Sequence, residues 1–141
     1  MKVLVDTNII LDAFLEREPF VEDARTLLEA IRERRVYGYV TATTLTNIFY
    51  IVRRQTRSFE LARQAISMTL LLMEVCAVDR LILEQAFASN RKDFEDAVQL
   101  ACATIGSLDA IVTRDADGFA GASLPILSVT ELLERLKETN E

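Results

Sequence analysis

Short apolar runs typical of β-strands alternate with helical patterns along the chain, and this alternation most constrains the fold. Between the runs, apolar residues recur at spacings of three and four, as they do on amphipathic helices. Parallel strands need crossover connections, so strands separated by helices favour a mostly parallel sheet covered by helices on both faces. The predicted strands are Lys2–Val5, Val36–Val40, Glu74–Val78, Ala110–Thr113 and Pro125–Val129.

The size and composition of the chain are those of one water-soluble α/β domain, expected to span residues 1–141. No apolar run approaches the roughly 18 residues that a membrane span requires, and no signal-peptide pattern opens the sequence. We therefore expect no membrane partner. Cys76 and Cys102 both lie in apolar settings. Two buried thiols are typical of a reducing compartment, so a cytoplasmic location is expected.

The absence of histidine narrows the possible chemistry. Ser-His-Asp and Cys-His catalysis and histidine-ligated zinc are all excluded. Any polar chemistry must then come from carboxylates, hydroxyls, amides, lysine or arginine. The formal net charge of −6 repels nucleic acid, so a nucleic-acid substrate would need a local basic patch or bound cations.

Three aspartates stand where the predicted elements meet. Asp6 ends the first strand in "VLVDTN", Asp115 follows the fourth strand, and Asp96 falls in the first turn of the helix before that strand. Ligands of open α/β sheets bind beyond the carboxyl ends of the strands, where these three acids would converge. Converging carboxylates repel one another unless a hard cation neutralises them, and oxygen ligands alone favour Mg²⁺ or Mn²⁺.

The same acids also have ordinary structural interpretations, as helix caps or turn residues. Capping is the favoured interpretation for Asp79 and Asp93, and a turn is favoured for Asp117. For Asp6 capping remains an alternative, although Asn8 could serve instead, and Asp96 could simply complement a helix dipole. A turn likewise remains an alternative for Asp115 in "RDADG".

These residues resemble the PIN domain family, whose best-known members are the VapC-type toxins. The resemblance rests on Asp6-Thr7-Asn8 after the first strand, on Asp96 early in a late helix, and on "TRD" after the next strand. The stretch Thr41-Ala42-Thr43-Thr44-Leu45 is similar to the family's "TA-x-T-L". Together these features extend over essentially the whole chain.

The resemblance implies a Rossmann-like PIN domain with a five-stranded sheet of order 3-2-1-4-5. It implies a metal-dependent endoribonuclease, acting as the toxin of a type II toxin–antitoxin pair, with a small antitoxin partner and homodimerisation. By this likeness Asp6, Asp96 and Asp115 would be the catalytic ligands of Mg²⁺ or Mn²⁺. Thr7, Asn8 and Thr113 would be hydrogen-bonding partners that orient these carboxylates.

One position departs from the family pattern. A glutamate usually follows "TA-x-T-L" on the next helix, and this chain has Asn47 there. An amide oxygen can contact a metal or its water but brings no negative charge, so weaker metal binding is expected. Asp93 or Asp117 could compensate. The departure leaves open a second function, that of a catalytically silent PIN-like module acting through protein or RNA contact.

Basic residues are few but grouped, and they are the candidates for contact with an RNA backbone. Tyr50 could stack on a base beside them. The alternative is that they increase solubility and complement helix dipoles. The candidates are Tyr50, Arg53, Arg54, Arg91, Lys92 and Arg114.

Overall fold

A five-stranded, fully parallel sheet forms the centre of the structure, a computed structural model that describes residues 1–139. The strand order is β3-β2-β1-β4-β5, which confirms the predicted fold class. The last two residues of the predicted domain, 140 and 141, lie outside the described part. The strands are β1 (Lys2–Val5), β2 (Tyr37–Thr41), β3 (Glu74–Cys76), β4 (Ala110–Val112) and β5 (Ile126–Leu127).

Helices cover both faces of this sheet. They are α1 (Thr7–Phe14), α2 (Val21–Arg32), α3 (Ala42–Thr56), α4 (Phe59–Leu72), α5 (Arg80–Ala88), α6 (Phe94–Ile105) and α7 (Val129–Thr139). A 3-10 turn, Ala116–Phe119, follows β4. Within residues 1–139, no helix combines the length and the apolar character that crossing a bilayer would need.

The central strand β1 shows how the two helical layers are divided. Successive side chains of a strand point to opposite faces. Val3 and Val5 pack into a large cluster with residues of α1, α2, α3, α4 and α7, whereas Leu4 packs with α6 and with Phe119 of the 3-10 turn. All these side chains are buried, so the end of β1 is fixed from both sides.

The two edge strands are shorter than predicted. β3 ends at Cys76 rather than Val78, and β5 contains only Ile126 and Leu127. Each edge strand pairs with one neighbour only, β3 with β2 and β5 with β4. The edge strand therefore ends at the residue that pairs with the last residue of its neighbour. The expectation of two buried thiols is correct for Cys102, whose pKa burial raises to about 12, whereas Cys76 is half-buried.

Candidate functional site

Asp6 lies at the carboxyl end of β1, in the cap position of α1, but its side chain does not cap that helix. The carboxylate instead accepts hydrogen bonds from the Thr113 hydroxyl at 2.8 Å and from the Gln99 amide nitrogen at 3.2 Å. The residue is only 6% exposed. A capping role for Asp6 is therefore set aside, and the expected contact with Thr113 is present.

Asp96 lies in the first turn of α6, where Asp93 caps the helix by accepting a hydrogen bond from the Asp96 backbone N–H at 3.0 Å. Burial, together with the nearby carboxylates of Asp93, Asp6, Glu95 and Asp115, raises the pKa of the Asp96 carboxyl to about 7. The capping predicted for Asp93 is confirmed. The charges of these four acids act on Asp96, and such interactions weaken strongly with distance in water. The four acids therefore lie near Asp96, on the same rim.

Gly118 holds open the space between Asp96 and Asp115. A Cβ atom at this glycine would stand 2.4 Å from Oδ2 of Asp96 and 4.0 Å from Oδ2 of Asp115. Both carboxylate oxygens therefore flank a spot that a larger residue would fill. Asp115 is exposed and donates its backbone N–H to the Thr113 hydroxyl at 3.0 Å, which links it to the same hydroxyl that binds Asp6.

Asp117 occupies the 3-10 turn, as favoured from the sequence. Its side chain is exposed, and its backbone carbonyl accepts a hydrogen bond from Ala120.

Asn8 differs from expectation, because its side chain is exposed. Its described hydrogen bond is accepted from Arg17 at 3.5 Å, and it donates none to a carboxylate of the rim. Helix α1 turns Asn8 outwards because the buried face of its first turn is taken by Thr7 and Ile9.

Thr7 connects three helices at this rim. Its hydroxyl lies 2.8 Å from that of Thr44 on α3, donates to the Glu95 carboxylate on α6 at 2.9 Å, and is approached by the Gln99 amide nitrogen at 3.4 Å. Asn47 is half-buried one helical turn beyond Thr44. Sequence reasoning did not identify Glu95 and Gln99. Their signal was a third carboxylate beside Asp93 and Asp96, and a single amide in the apolar run that follows, in the stretch "DFEDAVQLACA".

The donor set suits a hard divalent cation. Within residues 1–139, no group of three or more acidic or cysteine side chains is arranged to hold a metal ion as it stands. Like charges in a half-buried site repel one another, which keeps these carboxylates apart. The buried amide oxygen of Gln99 has no hydrogen-bond partner, although the amide nitrogen of the same group contacts Asp6. An unpartnered acceptor among carboxylates is best satisfied by a cation or its water, and oxygen donors favour Mg²⁺ or Mn²⁺.

Arg114 pairs with Asp12, a buried acid outside the predicted site. Its guanidinium makes two bonds to Asp12, at 2.8 and 3.2 Å, and lies 4.1 Å from the centre of the Phe20 ring. Asp12 is 1% exposed and would be costly to bury without this partner. Arg114 therefore neutralises a buried carboxylate, and its contact with RNA stays a prediction.

The other basic candidates remain at the surface. Arg91 is close to the acids, since its guanidinium donates to the Gly118 carbonyl at 3.5 Å, and Lys92 beside it is exposed. Arg54 is exposed on α3, and Arg53 lies 5.5 Å from the centre of the Phe59 ring. Tyr50, on the same helix, is 63% exposed.

Fold and site together define a Rossmann-like α/β protein with an acidic rim at the carboxyl ends of its strands. The sequence matches the profile of the PIN domain family over residues 2–117, and the chain belongs to that family. Among curated protein sequences, none matches the chain significantly.

Solved structures from toxin–antitoxin systems share the fold. A toxin–antitoxin complex from Klebsiella pneumoniae is similar with a TM-score of 0.66 at 22% identity, covering 90% of this chain and 97% of that one. Mycobacterium tuberculosis VapC20, a toxin that cleaves the sarcin–ricin loop, gives 0.69 at 17% identity, covering 84% and 93%. VapBC2 from Rickettsia felis, bound to a DNA fragment from its promoter, gives 0.68 at 14%, covering 91% and 98%.

Proposed function

We propose that this PIN domain is an endoribonuclease that depends on Mg²⁺ or Mn²⁺. The observation that carries the proposal is Asp6, a buried carboxylate whose described hydrogen bonds come only from the neutral groups of Thr113 and Gln99. Burying a charge in this way is unfavourable unless a positive partner joins it. Asp96 and Asp115 supply further carboxylates at the same rim.

A bound divalent ion would lower the pKa of a water molecule and offset negative charge on the leaving oxygen of a phosphodiester. The protein holds the ligands in place for this chemistry. Thr113 links Asp6 to Asp115, because its hydroxyl donates to one side chain and accepts the backbone N–H of the other. Asp96 must lose its proton to bind a cation, and a site without an ion disfavours that loss.

Residues near the rim and on helix α3 suit an RNA substrate. Arg91 and Lys92 lie at the start of α6, where their charges offset the repulsion between the acids and a phosphate backbone. Tyr50 offers an exposed ring for stacking on a base, with Arg53 and Arg54 on the same helix.

We further propose that the protein is the toxin of a type II pair and works in the cytoplasm. The structural neighbours from Klebsiella pneumoniae and Rickettsia felis come from toxin–antitoxin systems, which supports a small antitoxin partner. Exposed apolar side chains, such as Leu71 and Phe87, support burial against a partner or a second copy of the chain. An antitoxin would inhibit by placing an arginine or lysine among the acids.

RNA cleavage with Mn²⁺ or with EDTA tests the proposal. The wild type is expected to cut RNA with Mn²⁺ only, and Asp6→Asn and Asp96→Asn are each expected to lose about a hundredfold in rate or more. Asp23→Asn, an exposed acid in the first turn of α2, is the control and should cut normally.

Equal metal-dependent cutting by the wild type and both rim variants would refute the site. If none of the proteins cuts RNA under any condition, the silent binding module is the better description. Asn47 favours that second function, because it leaves α3 without a carboxylate at the rim.

A further inference from the structure

Glu95 is an acid at the rim that the proposed set of metal ligands does not use. It lies in the first turn of α6, directly before Asp96, and is half-buried. Its carboxylate accepts the Thr7 hydroxyl at 2.9 Å, and Thr7 is the residue that follows Asp6. Glu95 also raises the pKa of Asp96, so its charge lies close to the other acids.

The hydroxyl contacts around Thr7 have a definite direction. A threonine hydroxyl has one proton to donate, and an ionised carboxylate can only accept. Because Thr7 donates to Glu95, the contact of 2.8 Å between the Thr7 and Thr44 hydroxyls must be donated by Thr44. A chain of hydroxyls therefore runs from α3 through α1 to a negative charge on α6.

Helix α3 contributes no negatively charged side chain where this series of hydroxyl contacts begins. Asn47 lies one turn beyond Thr44 on α3, half-buried and neutral. Helix α6 brings two carboxylates, Glu95 and Asp96, within a single turn. The negative charge of the rim is thus concentrated on α6.

An independent observation points to a ligand at this place. The oxygen of the Gln99 amide is buried without a hydrogen-bond partner, and Gln99 is only 1% exposed. The nitrogen of the same amide contacts both Asp6 and Thr7, so the side chain that carries the unpartnered oxygen is directed at the rim. A buried acceptor without a donor indicates a missing water or cation.

We infer that Glu95 provides the fourth negative charge of the cation site, from α6 rather than from α3. This inference rests on the proposed function, since it concerns the same rim. Glu95 acts as a positioning residue. Its carboxylate, held by the hydroxyl of Thr7, adds negative charge beside Asp6, where the cation would bind. The structural alternative is that Glu95 serves only to tie α6 to α1 through Thr7.

Titration of the purified protein with Mn²⁺ alone, followed by the electron paramagnetic resonance signal of free Mn²⁺, separates these roles. Glu95→Gln keeps an oxygen that can accept from Thr7 but removes the charge. It is expected to weaken Mn²⁺ binding about tenfold and to leave the thermal midpoint in EDTA unchanged or slightly higher. The matched control is Glu60→Gln, an exposed acid at the equivalent first-turn position of α4, which should bind as the wild type does.

A second variant tests whether the two helices face one cation. Adding Asn47→Glu to Glu95→Gln returns one charge to the rim from α3, and Mn²⁺ affinity is expected to recover. Absence of recovery would overturn the inference, as would Glu95→Gln binding Mn²⁺ as tightly as the wild type. A lower thermal midpoint of Glu95→Gln in EDTA would assign Glu95 the structural role and also overturn it.

The Asp6→Asn variant distinguishes a failure of this inference from a failure of the proposed metal site. If it loses Mn²⁺ while Glu95→Gln does not, the inference fails and the proposed metal site stands. If the wild type binds no Mn²⁺ at all, the proposed metal dependence fails and the inference fails with it.

Discussion

Two buried carboxylates of this protein differ in the partners that surround their negative charge. Asp12, in α1, is 1% exposed and pairs with Arg114 at 2.8 Å and with Arg17 at 3.7 Å. Asp6, one residue before α1, is 6% exposed, and its described hydrogen bonds come from Thr113 and Gln99, which carry no charge.

The difference shows how a structural acid can be told from a functional one. A buried carboxylate needs a positive partner, and the chain supplies it to Asp12. At Asp6 the described residues supply only dipoles, and the proposed function assigns the missing positive charge to a bound cation. Two consecutive residues provide the different partners, because Thr113 donates its hydroxyl to Asp6 and Arg114 donates its guanidinium to Asp12.

The largest expected effect comes from breaking the internal pair. Arg114→Met leaves the Asp12 charge buried with only the longer contact to Arg17, and should lower the free energy of unfolding by about 3 kcal/mol. Urea denaturation measures this. Arg25→Met, which breaks the exposed pair of Arg25 with Glu16, is the control and should cost about 0.5 kcal/mol or less.

The same Arg114→Met protein should still bind Mn²⁺ normally, because Arg114 contacts Asp12 and not the rim. If Arg114→Met weakened Mn²⁺ binding as much as Asp6→Asn does, the two acids would belong to one site and the comparison would fail.

A smaller effect should come from filling the space beside Asp96. Gly118→Ala places a methyl group where Oδ2 of Asp96 now lies, and the side chain can turn away at little cost. We expect Mn²⁺ affinity, measured by calorimetry, to fall about tenfold, with the free energy of unfolding changed by about 0.5 kcal/mol or less. Unchanged affinity would mean that Asp96 is not held against Gly118 when the ion binds.

The smallest effect is a dependence of stability on pH without metal. The pKa of Asp96 is about 7 in the folded protein against an ordinary 3.8, so the folded state holds the proton more tightly. Its contribution to stability is therefore complete at low pH and is lost as the pH rises through 7. Solvent screens this partly exposed group, so we expect a loss of about 1 kcal/mol.

Thermal unfolding in EDTA between about pH 4 and pH 8 measures this loss. Asp96→Asn imitates the neutral carboxyl and should remove the decline, whereas Mn²⁺ added to the wild type at high pH should reverse it. A decline of the same size in Asp96→Asn would assign the pH dependence to another group.

Local patterns were sufficient to predict the elements and their caps. Asp79 and Asp93 both cap their helices as predicted, because capping depends on residues within one turn. The alternation of strands and helices gave the parallel sheet, whereas the strand order came from the family resemblance. Strand ends were less predictable, since β3 and β5 end where a distant neighbour stops pairing.

The site was only partly predictable, because its remaining contacts are made across the fold. Glu95 was not identified from the sequence, because its contact with Thr7 joins residues that are 88 positions apart. Helix α6 meets Gly118 through Asp96 and Thr7 through Glu95. The pairing of Arg114 with Asp12 was not predicted, because the two residues are 102 positions apart in the sequence.

The position of β1 in the middle of the sheet has a consequence for biosynthesis. This strand is synthesised before the other strands of the sheet, but one of its two neighbours is β4, which contains residues 110–112. Until that segment emerges, Asp6 has neither Thr113 nor Gln99 to hold it. A nascent chain therefore carries the first acid of the rim without the rest, and the proposed nuclease can become active only after the segment from Asp96 to Asp115 has been synthesised.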